Sequence, residues 1–220
     1  MPGFKVKMGF GLHQGWAIEG AIGSNHKIDA SYLSPNVNMA ARLEAATKQY
    51  GVSLLISGFI HEMFTDEIKL LCREIDTVTV KGSIVPVKFF TVDIDTEQLK
   101  EKKDSLHSFS HQDRKKIRDK EKKLLLERIA KGKQSTWDLY ARDKDFKSLR
   151  HSFDRHFAKK FAEAYRRYIR GDWATAEDML SQCLKMSPKD GPSLTLKAYI
   201  EELNGTAPVN WKGYRELTEK

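Results

Sequence analysis

Cysteine is scarce: Cys72 and Cys183 are the only two in 220 residues, and they form no Cys-x-x-Cys pair. That excludes a disulfide framework and a thiolate metal motif, and both read as buried thiols in a reducing compartment. The seven histidines show no metal spacing such as His-Glu-x-x-His. No apolar run approaches the roughly 20 residues of a membrane span. No secretory signal pattern opens the chain. The basic residues are not interleaved with aromatics and match no nucleic-acid module, which speaks against a nucleic-acid partner. The expected setting is cytoplasmic, with membership of a larger assembly, such as a cilium or the cytosolic face of a membrane, left open.

What is present is ordinary in amount and uneven in place. Charged residues make up 31% and apolar residues 40% of the chain, as in a globular protein of one or two domains. The net charge of +8 concentrates between Lys100 and Lys133, where 13 Lys or Arg stand against 6 Asp or Glu. Asp113 to Leu126 reads as a solvated helix with a narrow apolar stripe, a basic connector that could meet an acidic protein surface.

The informative segment is Tyr32-Leu33-Ser34-Pro35-Asn36-Val37-Asn38-Met39-Ala40-Ala41-Arg42. Pro35 suits a first helical position. Val37, Ala40, Ala41, Leu43 and Ala45 fall close to one stripe, so a helix is expected from here. Asn38 and Arg42, four apart, share a face one turn apart. An amide and a guanidinium together form a donor cluster suited to a ribose oxygen and to charge developing on a transferred phosphate. Upstream, Lys5 to His13 alternates like a strand. Gly15 marks a turn, and Trp16 to Gly23 reads as the second strand of a hairpin. Downstream, Gly51 to Ser57 reads as a strand, and Ile75 to Gly82 with Pro86 to Asp93 as a closing hairpin.

Gly11-Leu12-His13-Gln14-Gly15, then Asn38-x-Ala40-x-Arg42, then Val80-Lys81-Gly82, in that order and spacing, resemble the catalytic domain of class III nucleotidyl cyclases. The resemblance covers about 90 residues, some two-fifths of the chain. It implies an α+β fold: the C-terminal half of a ferredoxin-like cyclase domain. It implies that Asn38 orients the ribose, Arg42 stabilises the transferring phosphate and Lys81 contacts the terminal phosphates. Ser31, seven residues before Asn38, falls where the family reads the base, and its hydroxyl mildly favours ATP over GTP. His13 is expected to be structural. Ser34-Pro35 departs from the family pattern, which has glycine at the position of Ser34.

The same resemblance implies Mg2+ or Mn2+ in the complete site, held by two aspartates upstream of the Gly-x-His-x-Gly hairpin. Only Met1-Pro2-Gly3-Phe4 precede that hairpin here, so the metal ligands are expected outside this chain. The chain alone is expected to be inactive, and its half-sheet to carry bare edges and an uncovered apolar face. A second cyclase domain or complementing chain is the expected partner. The competing reading is a catalytically inactive, cyclase-derived interaction element.

His156 to Pro188 reads as a helical hairpin, with Ala164, Gly171, Trp173, Ala176, Leu180 and Cys183 close to tetratricopeptide positions. A third helix over Leu194 to Leu203 and a cap anchored by Trp211 follow. Three parts are therefore expected: 1–95, the half cyclase domain; 96–150, the basic helical linker; and 151–220, a tetratricopeptide-like all-α tail able to hold its structure by itself.

Overall fold

The computed structural model describes residues 7–80, 85–95, 108–151 and 154–217. They divide into two compact units, one built from the segments 1–92 and 154–220, the other from residues 93–153.

The first unit holds a five-stranded sheet in the order β1-β4-β6-β5-β7. The strands are β1 (Phe10–Leu12), β4 (Leu54–Ser57), β5 (Cys72–Val80), β6 (Val87–Val92) and β7 (Arg215–Leu217). A separate two-stranded sheet joins β2 (Ile18–Ser24) to β3 (Lys27–Leu33). The expected closing hairpin is present: β5 and β6 pair antiparallel from Cys72 opposite Val92 to Val78 opposite Val87, with a bulge between Glu74 and Asp76. The first hairpin differs from expectation. β1 does not pair with β2; it lies parallel to β4, with Gly11 opposite Leu55. β2 turns back through Asn25 and His26 onto β3, the tight two-residue connection that brings Ser24 opposite Lys27.

Helix α1 (Pro35–Tyr50) begins where Ser34 accepts hydrogen bonds from the backbone N–H groups of Asn36 and Val37 and Pro35 takes the first turn. The departure at Ser34-Pro35 is thus a well-formed helix start. The helix ends at Gly51, whose φ of 62° is left-handed. Leu43, Ala46, Thr47 and Tyr50 form its buried stripe. The short helices α2 (Gly58–Glu62) and α3 (Asp66–Lys69) follow β4. On α2, His61 stacks flat on Phe90 of β6, 3.8 Å between ring centroids.

The tail forms α7 (Arg155–Ile169), α8 (Trp173–Met186) and α9 (Gly191–Glu202). The expected helical hairpin is present, with Gly171 at a φ of 83° in its turn and Ala164, Trp173, Ala176 and Leu180 buried. The tail is not a separate body. Leu43 and Tyr50 of α1, Ile75, Val78 and Phe89 of the sheet, and Phe161, Tyr168, Leu180 and Leu196 of the tail belong to one hydrophobic core. Two buried ion pairs cross the same seam. Arg73 of β5 meets Asp190 at 2.7 Å, and Arg215 of β7 meets Asp76 at 2.8 Å. The face and edge expected to lie bare are therefore covered in cis: the tail joins the core on the sheet, and β7 extends it parallel to β5. Among the described residues the outer strands of the sheet are β1 and the three-residue β7.

The second unit contains α4 (His111–Ala130), α5 (Thr136–Arg142) and α6 (Lys144–Leu149). Ser110 caps α4 by accepting from the Asp113 N–H, and Ser135 with Asp138 forms a capping box on α5. The helix α4 contains the expected basic segment and has no buried residue.

Candidate functional site

Asn38 and Arg42 stand one turn apart on α1. Each directly precedes a core-packed residue, Met39 and Leu43, so the pair occupies the rim of the buried stripe rather than the opposite face. Asn38 is exposed and Arg42 half-buried. Neither side chain has a hydrogen-bond or ion-pair partner among the described residues, which leaves an amide and a guanidinium open to a ligand. Ser31 lies on β3, which runs directly into α1, and is half-buried opposite Gly20. Lys81 lies outside the described residues. Asp29 pairs with Lys27 at 2.9 Å on the exposed hairpin.

The Gly11-to-Gly15 segment is the seat of this helix. A Cβ on Gly11 would sit 2.3 Å from the Ala40 carbonyl oxygen and 2.8 Å from the Leu43 Cβ, so only glycine lets α1 lie this close to β1. A Cβ on Gly15 would overlap the Asn36 amide at 2.2 Å. That amide is pinned from two sides: Asn36 Nδ2 donates to the Trp16 carbonyl at 2.9 Å, and Oδ1 lies 3.2 Å from His13 Nε2. Because Oδ1 accepts, His13 Nε2 carries the proton, and Nδ1 accepts from the buried Ser57 hydroxyl at 2.8 Å. His13 thus ties β4 to the first turn of α1, with the Phe59 ring edge-on at 5.5 Å. Asn36 serves the scaffold, and Asn38, two residues on, faces outward.

The other end of α1 is held by a network that the sequence did not announce. Tyr50 donates its hydroxyl to Asp76 Oδ2 at 2.6 Å, Arg215 Nε donates to the same oxygen at 2.8 Å, and Arg215 also donates to the Tyr50 oxygen at 3.0 Å. Asp76 is wholly buried. Burial pushes its carboxyl upward and outweighs the opposing pull of Arg215 and the Tyr50 hydrogen bond. The signal was an Asp inside the strand pattern Ile75-Asp76-Thr77-Val78, a charge placed where only a partnered one is tolerated.

Among the described residues, no group of three or more His, Cys, Asp or Glu could hold a metal ion, so the carboxylates present do not fit a two-metal site. No described helix is long and apolar enough to cross a membrane.

No protein-family model matches the chain. Three curated proteins match about two-fifths of the chain. Adenylate cyclase 1 of Rhizobium meliloti is 32% identical over 92 residues, which is 42% of this chain and 13% of that protein. The adenylate cyclase of Anabaena cylindrica is 32% identical over 89 residues, 40% of this chain and 18% of that protein. The terminal-differentiation-specific adenylate cyclase of Dictyostelium discoideum is 34% identical over 94 residues, 42% of this chain and 4% of that protein. Among solved structures, a bacterial light-regulated adenylyl cyclase matches with a TM-score of 0.32 and 30% identity, over 39% of this chain and 23% of its own. About two-fifths of the chain is similar to proteins named adenylate cyclase, and its described residues form an α+β fold. It spans less than a fifth of the length of each curated relative.

Proposed function

We propose that this chain is part of a nucleotidyl cyclase that converts ATP, in preference to GTP, into the 3′,5′-cyclic nucleotide and pyrophosphate. The observation that carries the reading is the Asn38–Arg42 pair on the rim of α1, neither partnered among the described residues, in a chain about two-fifths of which is some one-third identical to proteins named adenylate cyclase. In the reaction, the ribose 3′-hydroxyl gives up its proton to solvent, its oxygen bonds to the α-phosphorus, and the bond from that phosphorus to pyrophosphate breaks. Asn38 orients the ribose oxygen. Arg42 offsets negative charge that grows on the transferring phosphate. Lys81 holds the terminal phosphates, and Ser31 faces the base. The described carboxylates of this chain do not gather into a metal site, so ligands for Mg2+ or Mn2+ would come from elsewhere.

The second half of the site is proposed to come from another cyclase domain. The β2–β3 hairpin supports this reading. Ile18, Ile28, Tyr32 and Leu33 are each more than half exposed, on a two-stranded sheet that is marginal without a neighbour. The test is a fusion. The residues of the Anabaena cylindrica adenylate cyclase that precede its matched stretch are placed ahead of the full chain, and cyclic AMP formation from ATP is measured with manganese. The fusion is expected to turn over while the chain alone does not. A folded fusion without activity supports instead the inactive interaction element.

A further inference from the structure

The helical tail does more than cover the sheet: it grips the last turn of the helix that carries Asn38 and Arg42. Gly191, at the start of α9, meets that turn backbone to backbone, since a Cβ there would lie 1.9 Å from the Tyr50 carbonyl oxygen. Thr195 Oγ1 donates to the Gln49 carbonyl at 2.9 Å, satisfying one of the carbonyls a helix end leaves open. Arg215, from the strand after α9, donates to both the Tyr50 hydroxyl and Asp76. Its guanidinium lies 5.0 Å from the Tyr199 ring centroid of α9 and 5.5 Å from that of Tyr50. The backbone of Tyr50 is thus packed closely against α9, and its hydroxyl is hydrogen-bonded by β7 and β5. Arg42 lies eight residues upstream on the same rigid helix, about 12 Å along its axis.

We infer that Arg215 is a positioning residue: with Tyr50 and Asp76 it locks the C-terminal end of α1 to the sheet, and so sets the place of Asn38 and Arg42. Gly11, His13 and Gly15 fix the first half of the helix; the tail fixes the second. A helix held at one end pivots, and a donor pair displaced by about 1 Å from its reacting geometry loses much of its effect. The tail is then a built-in brace, and whatever dislodges it acts on the site without touching the nucleotide. This inference rests on the proposed nucleotide role of α1 for its chemical consequence, but not for its structural content.

The experiment is residue-resolved amide hydrogen exchange on the full chain, comparing the wild type with Arg215→Lys and Tyr50→Phe. Leu180→Ala serves as a control that loosens the tail core away from the network. Arg215→Lys keeps the charge but not the two-pronged reach; Tyr50→Phe removes one hydroxyl and little volume. Both are expected to speed exchange across α1 by about tenfold or more, the size of a lost charge-assisted hydrogen bond, while α7 and α8 keep their protection. Leu180→Ala should do the reverse. In the fusion described above, Arg215→Lys should lower kcat with KM for ATP little changed. Unchanged α1 exchange, or a uniform rise over the whole core in both variants, overturns the inference. A fusion that makes no cyclic nucleotide refutes the proposed function instead, and the exchange pattern still decides the brace.

Discussion

Arg215 and Asp76 lie 139 positions apart, yet they meet at 2.8 Å inside the core. The pair joins β7 to β5, and with the shared core and the Arg73–Asp190 pair it links the segments 1–92 and 154–220 into one unit. Breaking one partner of such a pair strands a buried charge, so Arg215→Met is expected to cost about 3–5 kcal/mol. Urea denaturation measures it. A loss under about 1 kcal/mol would show that the pair is solvated in solution.

The shared core makes a prediction about fragments. Residues 1–92 and residues 154–220, expressed separately, should each lack a cooperative melt. Each exposes what the other covers: Ile75, Val78 and Phe89 on one side, Phe157, Phe161 and Tyr165 on the other. Mixing them should restore near-ultraviolet circular dichroism. A tail fragment with a sharp melt of its own would contradict the single-core account.

Much of this was legible in the sequence. Local signals placed α1, the α7–α8 hairpin and the β5–β6 pair, because capping residues, apolar period and strand alternation agree within each segment. The pairing of β1 with β4 was not legible, because three residues of strand carry no register; nor was the tight Asn25-His26 turn, which lacks the glycine usual in two-residue hairpin connections. Nor was β7, whose Arg215-Glu216-Leu217 is too short and too charged to read as strand. The candidate residues Asn38 and Arg42 were visible through the resemblance of their segment, not through spacing alone. Their supports were not, since they come from positions such as Ser57, Asp76 and Arg215 that meet only through tertiary packing.

The seat of α1 is equally open to test. Gly11→Ala places a methyl group against the Ala40 carbonyl and should lift the helix from β1, at a cost of about 1–3 kcal/mol. Thermal melts of the purified chain give the value. An unchanged melting temperature would mean that α1 and β1 are not in close contact in solution.

His61 provides a pH signature. Burial, with help from Lys69, holds its imidazole below the usual value. The folded state therefore binds this proton less tightly than the unfolded chain. Its stabilisation is complete above the unfolded value of about 6.5 and is lost as the pH falls through that value toward the lower folded one. Between about pH 7.5 and about pH 5.5, the wild type should lose more thermal stability than His61→Phe, which keeps a ring on Phe90 and cannot titrate. Parallel pH profiles would remove His61 from the account.

The two thiols should differ sharply. Cys183 is fully buried in α8 and burial pushes its thiol up to about 11, whereas Cys72 is half-buried at the start of β5. A thiol reagent at neutral pH should label Cys72 alone in the folded chain and both residues after denaturation. Equal labelling rates in the folded chain would show that α8 does not pack as described.

The central claim is that the rim of α1 acts on the transition state. The direct measurement is the steady-state kinetics of ATP conversion by the fusion of the upstream Anabaena cylindrica segment to this chain, with Asn38→Ala and Arg42→Ala compared against the parent fusion. The account predicts that each substitution lowers kcat by roughly 100- to 1,000-fold while KM for ATP changes little, because both side chains act where charge develops. A folded, active fusion in which Arg42→Ala leaves kcat intact would contradict it.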